Sequence, residues 1–462
     1  MPLQPEFVEA LRSIVGAAHV RLDDPSLATY GADALKRGHP ADAVVLPDGA
    51  EQVAAVMRLC GTRGVPLVPR GGGTGYTGGS VPVRGGVVLS LERMNRILEL
   101  DEQNLVIVVE PNVITGTIQD TVEKVGLFYP PDPASLRTSV IGGNVAECAG
   151  GPRAFKYGTT KQYVLGLQAV LPNGDIIETG GKAVKNVVGY DLTHLLVGSE
   201  GTLAVITRII LRLVPKPPVQ STMRATFRTI EEAVQAVSNV IGMRVVPAAV
   251  ELIDGDSLEA VAKYLDVRTL APESTGALLL LEVDGLAEAV AEEATRCERA
   301  CRDAGATEIL RARGETERQE IWRVRRELSP ALKMITPIKF NHDVVVPKGR
   351  IPQLFTLVDG IKKKYRLRIP CFGHAGDGNI HVNIMVTPGD DDEMRRAHEA
   401  ERALFEGVVA LDGSISGEHG IGFAKAKYLP LELDPQTIAI MKRVKAAFDP
   451  EGLLNPGKIF PD

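Results

Sequence analysis

A chain of 462 residues is too long for one ordinary hydrophobic core, so two or three domains are expected. Hydrophobic residues at 44% and charged residues at 24% describe a soluble globular protein, and a formal net charge of −6 supplies no basic field for a nucleic-acid partner. Residues 1–20 mix acidic and apolar side chains without the basic-then-apolar order of a signal peptide, and the longest apolar run, Ala277–Leu281, is far too short to span a bilayer. The expectation is a cytoplasmic protein that reaches a membrane only through a partner.

In chain order, 6–15 reads as a helix, and so does 48–64, where Val53, Val56, Met57 and Cys60 repeat at helical spacing. A short apolar strand, 65–69, feeds a glycine loop. Segments 87–91 and 105–110 are strands by β-branched content, 113–125 is helical, and 164–214 alternates strands with glycine breaks. Pro215-Lys-Pro-Pro218 marks a boundary. Beyond it, 231–240, 286–304 and 315–333 read as helices, and 277–283, 344–346 and 381–385 as strands. Basic runs at 311–326 and 362–364 read as solvated helix faces. Glycines return near Gly413, followed by a helix over 435–448.

The five cysteines (Cys60, Cys148, Cys297, Cys301 and Cys371) are odd in number and contain no Cys-x-x-Cys. Reduced thiols are expected, with no iron–sulfur cluster of the usual ligand spacing. Cys297 and Cys301, four apart on one helix, read as small buried residues.

Two segments carry chemistry. The first is Pro69-Arg-Gly-Gly-Gly-Thr-Gly-Tyr-Thr-Gly-Gly79. Consecutive glycines let backbone N–H groups converge on an anion such as a pyrophosphate, although a turn-rich structural loop fits the same residues. The spacing matches neither the dinucleotide fingerprint nor a P-loop. The second is the pair Cys371-Phe-Gly-His-Ala-Gly-Asp-Gly-Asn-Ile-His-Val-Asn-Ile384 and Gly413-Ser-Ile-Ser-Gly-Glu-His-Gly420, which hold three of the eight histidines. Two imidazoles and a carboxylate (His374, His381 and Glu418) make a three-ligand set that leaves a position open for substrate. Asp377-Gly378 supplies the turn that lets the two histidines face one point.

Pro130-Pro-Asp-Pro133, Ser139-Val-Ile-Gly-Gly-Asn-Val-Ala-Glu-Cys-Ala-Gly-Gly151 and Gly198-Ser-Glu-Gly-Thr-Leu203 give 40–217 a resemblance to the flavoprotein family of vanillyl-alcohol oxidase and p-cresol methylhydroxylase. The resemblance implies an FAD domain of two α+β subdomains. Arg70, Gly71, Gly72, Gly73, Thr74 and Gly75, with Ser139, Gly142, Gly143 and Asn144, would then hold the pyrophosphate. Pro131 and Asp132 would approach the flavin ring, and Gly201 and Ile206 the adenine and ribose. Some members tether FAD through a His where this chain has Thr74, so the flavin is expected to be non-covalent. Cys148 is read as a core thiol, not a tether.

Over its whole length the chain resembles the flavin-linked D-2-hydroxyacid dehydrogenases, which include the glycolate oxidase catalytic subunit, D-lactate dehydrogenases and D-2-hydroxyglutarate dehydrogenase. The shared residues are 373–381, Ser416-Gly-Glu-His-Gly420 and Asn455-Pro-Gly-Lys458. The resemblance implies a divalent metal on His374, His381 and Glu418, with zinc favoured and manganese or iron as alternatives. It makes His419 the substrate-facing base, Arg325 in Trp322-Arg-Val-Arg325 the grip on the substrate carboxylate, and Asn455 part of the cofactor set. Asn341 stands where relatives place a second cation, two residues before Asp343, with Lys339 and His342 nearby, a departure that leaves substrate size open. The expected architecture is α+β: an FAD domain over 1–217, a substrate domain with an antiparallel sheet over 218–410, and a returning segment over 411–462. The expected activity is oxidation of a small D-2-hydroxy acid, D-lactate or glycolate favoured, with electrons passed to an electron-transferring flavoprotein or an iron–sulfur subunit. Other flavin chemistry on this fold, such as an ether-lipid synthase, and a non-catalytic FAD subunit are the alternatives.

Overall fold

The computed structural model describes residues 3–266 and 275–461. They fall into two compact units: 1–150, 159–216 and 418–462 in the first, and 151–158 with 217–417 in the second.

The first unit opens on the helix Pro5–Val15, whose Phe7, Leu11 and Val15 share one buried face. A four-stranded sheet follows, built from β1 (Val20–Arg21), β2 (Ala43–Val45), β3 (Leu67–Arg70) and β4 (Val87–Ser90) in the order β1-β2-β4-β3. β2, β4 and β3 run parallel, as the intervening helix Ala50–Arg63 requires. That helix ends at Gly64, whose φ of 61° caps it in the left-handed region. A five-stranded antiparallel sheet comprises β5 (Ile97–Asp101) and β6 (Val106–Val109), then β8 (Val164–Val170), β9 (Ile176–Gly180) and β10 (Val205–Arg212), ordered β5-β6-β10-β8-β9. β7 (Leu127–Phe128) and β11 (Val214–Pro215) form a short ribbon. The returning C-terminal segment adds the helix Pro435–Phe448 and is laced to β3, where Leu67 N–H donates to Leu453 O and Asn455 N–H donates to Leu67 O.

The second unit is one seven-stranded antiparallel sheet. Its strands are β12 (Val219–Phe227), β13 (Ala249–Asp254), β14 (Ala277–Gly285), β15 (Glu308–Arg311), β16 (Ile338–Val345), β17 (Cys371–His374) and β18 (Asn379–Val386), ordered β15-β12-β14-β13-β17-β18-β16. Burial on both faces explains why β14 reads as a continuous apolar run; β18 is buried on both faces as well, yet alternates Asn379, His381 and Asn383 with Ile380, Val382 and Ile384. The segment expected as one helix over 315–333 is two, Glu315–Arg326 and Leu328–Ile335. Pro330 lacks an N–H and its ring would meet the carbonyl four residues earlier, so the first helix stops before it. Lys362, Lys363 and Lys364 occupy the last turn of the helix Ile351–Tyr365, where cations suit the helix dipole.

Candidate active site

The glycine loop leaves the end of β3, and its glycines are sterically required. A Cβ on Gly71 would come within 2.7 Å of Val140 Cγ2, and Gly72 lies 3.1 Å from Thr138 O on the same measure. Gly73 has a φ of 64° and packs directly under the Arg70 guanidinium. The loop therefore lies against 138–143, so the two sequence clusters expected to share a pyrophosphate are neighbours in the first unit. Arg70 is held by Ala32 O at 2.6 Å and Ser80 Oγ at 3.3 Å. Ser139 is buried, and its hydroxyl has no hydrogen-bond partner among the described residues. An orphaned hydroxyl and a held guanidinium beside bare backbone fit an anionic group such as the FAD pyrophosphate.

Other expected cofactor residues have structural anchors. Asn144 Nδ2 donates to Thr115 Oγ1 at 2.6 Å. Pro131 O accepts from Gln119 Nε2 at 2.9 Å, and Asp132 follows it directly. Gly201 packs on Pro69 at the foot of the loop, and Ile206 is buried on β10. The Asn455 side chain donates to Gly79 O at 2.9 Å and Glu200 O at 2.8 Å, clamping the far end of the loop to the Gly198–Leu203 turn. Cys148 is half-buried, with its thiol 3.3 Å from Thr159 Oγ1. Cys297 and Cys301 are buried, and burial pushes both thiols up to about 12, which leaves them inert.

His419 is tied to the same loop. Its ring stacks on Tyr76 with centroids 5.4 Å apart, and its carbonyl accepts from Thr77 Oγ1 at 3.0 Å. The neighbouring backbone is held by a residue that sequence reasoning passed over. Glu200 accepts from Ile421 N–H at 2.8 Å and Gly422 N–H at 2.6 Å.

In the second unit the strand register brings together the two histidines expected as metal ligands. Glu251 of β13 is paired with His374 of β17, Phe372 with His381 of β18, and His381 with Asp343 of β16. Directly opposed residues of an antiparallel pair share a face, so Glu251, His374, His381 and Asp343 form one polar stripe. The imidazoles of His374 and His381 lie 5.4 Å apart between centroids. The four-residue link between β17 and β18 turns at Gly378, with a φ of 92° and its N–H on His374 O at 3.1 Å. Gly417 N–H donates to the buried Asp343 carboxylate at 2.9 Å and presents the next residue, Glu418. The ligand atoms of His374, His381 and Glu418 all lie within 4.8 Å of one another. Two nitrogens and a carboxylate oxygen at such spacing suit a divalent cation of the zinc, manganese or iron type.

Glu251 is the clearest residue the sequence reading missed. It is fully buried, with Oε1 2.5 Å from His374 Nδ1 and Oε2 accepting from Arg325 Nε. Burial pushes its carboxyl up, but the Arg325 guanidinium and His374 outweigh that and bring it to about 2. The available signal was an acid in the largely apolar strand Ala249–Asp254. Arg325, expected as a substrate grip, gives its Nε to Glu251 and lies over the Phe372 ring at 4.9 Å. Lys339 and Asn341 share the face of Asp343 by strand alternation. Lys339 Nζ donates to Ser329 Oγ at 3.1 Å, and burial lowers its ammonium to about 8. Asn341 Oδ1 is buried with no hydrogen-bond partner among the described residues.

Fold and site together define a flavin-dependent oxidoreductase. The signature of the FAD linked oxidases, C-terminal domain, matches residues 216–459, and that of the FAD binding domain matches 41–180. The glycolate oxidase subunit GlcD of Bacillus subtilis is 43% identical over 91% of this chain and 89% of its own length. The D-lactate dehydrogenase of Anaerostipes hadrus is 35% identical over 98% and 97%, and the D-2-hydroxyglutarate dehydrogenase of Stutzerimonas stutzeri is 35% identical over 99% of each chain. The p-cresol methylhydroxylase structure superimposes with a TM-score of 0.82 at 18% identity, covering 99% of this chain and 96% of that one. Alkyldihydroxyacetonephosphate synthase does so at 0.77 and 20%, covering 98% and 86%, a likeness of fold alone. The chain belongs to the FAD-linked oxidases, with the FAD-binding fold of the vanillyl-alcohol oxidase and p-cresol methylhydroxylase type.

Proposed function

We propose that this protein is an FAD- and divalent-metal-dependent dehydrogenase of a small D-2-hydroxy acid, with D-lactate or glycolate favoured. The observation that carries this reading is the convergence of His374, His381 and Glu418 within 4.8 Å in an FAD-linked oxidase. Relatives named for glycolate, D-lactate and D-2-hydroxyglutarate support the substrate class.

The substrate carboxylate is drawn by Arg325. Its Nε is committed to Glu251, while its terminal amino groups make no hydrogen bond among the described residues and keep the forked geometry that suits a carboxylate. Lys339 adds charge on the same sheet face, and Asn341 adds a polar group. A cation on His374, His381 and Glu418 would supply Lewis acidity that lowers the hydroxyl pKa and fixes the pose. The His419 imidazole, steadied by Tyr76, takes the hydroxyl proton. FAD, held by 70–75 and 139–144, would supply the acceptor for the α-hydrogen as hydride at its N5. Pro131 and Asp132 would border its ring and Gly201 and Ile206 its nucleotide end, while Asn455 braces the loop. The five thiols have no cluster spacing, so the electrons leave through a partner, an electron-transferring flavoprotein or an iron–sulfur subunit.

The test is reduction of an artificial dye by the isolated chain over a panel of D- and L-2-hydroxy acids. D-lactate or glycolate should give the highest kcat/KM, with little peroxide formed. Turnover of none of the acids, or rapid stoichiometric peroxide formation, would contradict the reading.

A further inference from the structure

Glu251 lies in β13, directly beside the β17 strand that carries His374, with no water-facing surface. Its two oxygens serve different partners, His374 Nδ1 and Arg325 Nε. A guanidinium Nε is only ever a donor, so the oxygen facing Arg325 must accept. The other oxygen of an ionised carboxylate can also only accept. In the neutral ring, His374 Nδ1 must then carry the hydrogen, and Nε2 keeps the lone pair a metal ligand needs.

We propose that Glu251 is a positioning residue that fixes the metal-binding tautomer of His374 and anchors Arg325 through the same carboxylate. The inference rests on the metal reading above and deepens it. One buried anion then sets both the nitrogen offered to the cation and the place of the guanidinium offered to the substrate. Carboxylates behind metal-ligating imidazoles act this way, and their loss costs about 10–100-fold in metal affinity.

Glu251→Gln separates this role from simple packing, because it keeps size while changing donor logic. The amide has one accepting and one donating end. If its oxygen stays on Arg325, its NH₂ faces His374 Nδ1, which must give up its hydrogen and pass it to Nε2. The alternative orientation sets NH₂ against Arg325 Nε–H. The variant therefore loses either the correct tautomer or the Arg325 anchor.

Zinc affinity would be measured on chelator-stripped, FAD-loaded protein with a competing chromophoric chelator, and the His374 tautomer by ¹⁵N NMR at a pH where the ring is neutral. The wild type should bind zinc and hold Nδ1–H when metal-free. Glu251→Gln should bind zinc about 10–100-fold more weakly, show Nε2–H or a raised KM for the hydroxy acid, and keep its flavin absorbance. Wild-type zinc binding matched by the variant would overturn the role of Glu251 and leave the metal reading standing. A wild type that binds no zinc or other divalent metal would overturn both. Should the variant not fold, the wild-type tautomer decides: Nε2–H there contradicts the proposal.

Discussion

Two imidazoles can share one ligand point only if their strands run in a fixed register, and the pairing of Phe372 with His381 puts His374 and His381 on one face of the second sheet. His419 differs in kind. It hangs from the glycine loop through Tyr76 and Thr77 and contributes no atom to the donor set. His419→Ala should therefore keep both metal and flavin while losing about 10²- to 10⁴-fold in rate, with a smaller loss at high pH where solvent base substitutes. Elemental analysis with a kcat profile against pH checks this. Lys339 gives a second pH signature. Burial lowers its folded-state ammonium from the ordinary 10.5 to about 8, so it attracts an anion below pH 8 and fades above it. KM for the acid should rise through pH 8 in the wild type and stay flat in Lys339→Met. The stability sign is opposite to that of an ion pair. The folded state sheds its proton first, so the cost of burying the charge is fully present below pH 8 and vanishes toward 10.5. Lys339→Met should raise Tm at pH 7 by an amount that shrinks across that window. The histidines and Glu418 were legible because glycine-rich turns frame them. Glu251 was not, because a single acid in an apolar stretch looks the same whether it faces a partner or solvent.

The helix Glu315–Arg326 shows how an element aims a side chain. Arg318, Trp322 and Arg325 lie at i, i+4 and i+7 on one face. Trp322 Nε1 donates to the buried Glu282 at 2.8 Å, and Arg318 Nη1 approaches the same carboxylate at 3.6 Å. Thr222 Oγ1 also donates to it at 2.5 Å. These contacts to β14 set the helix so that Arg325 meets Glu251 on β13. Trp322→Phe removes a hydrogen bond to a buried carboxylate and should cost about 1.5–3 kcal/mol, read from the urea midpoint. It should raise KM for the acid more than it lowers kcat. The helices Pro5–Val15, Ala50–Arg63 and Pro435–Phe448 were legible from periodicity and flanking glycine or proline. β12 and β13 were not, since Val219–Phe227 mixes polar and apolar residues on a sheet covered on both faces. The break near Glu327 had a sequence signal in Pro330, which the run of helix formers outweighed.

At the scale of the whole molecule, the chain enters the second unit twice. Residues 151–158 join it through Lys156 and Tyr157, which reach Asp284 at 2.5 and 2.7 Å, and through Phe155 under Lys348 at 4.5 Å. The sequence marks this excursion only by glycines at either end. Among the described residues no helix is long and apolar enough to cross a membrane. The central claim is that an FAD-linked oxidase uses His374, His381 and Glu418 to hold a metal its reaction needs. The most direct measurement is metal content and dye-linked activity on one preparation, before and after chelation and after zinc is restored. One divalent ion per chain, activity lost with the ion and recovered with it, and flavin retained throughout is the predicted result, with His374→Ala and Glu418→Ala lacking both ion and activity. Full activity in metal-free protein would contradict it.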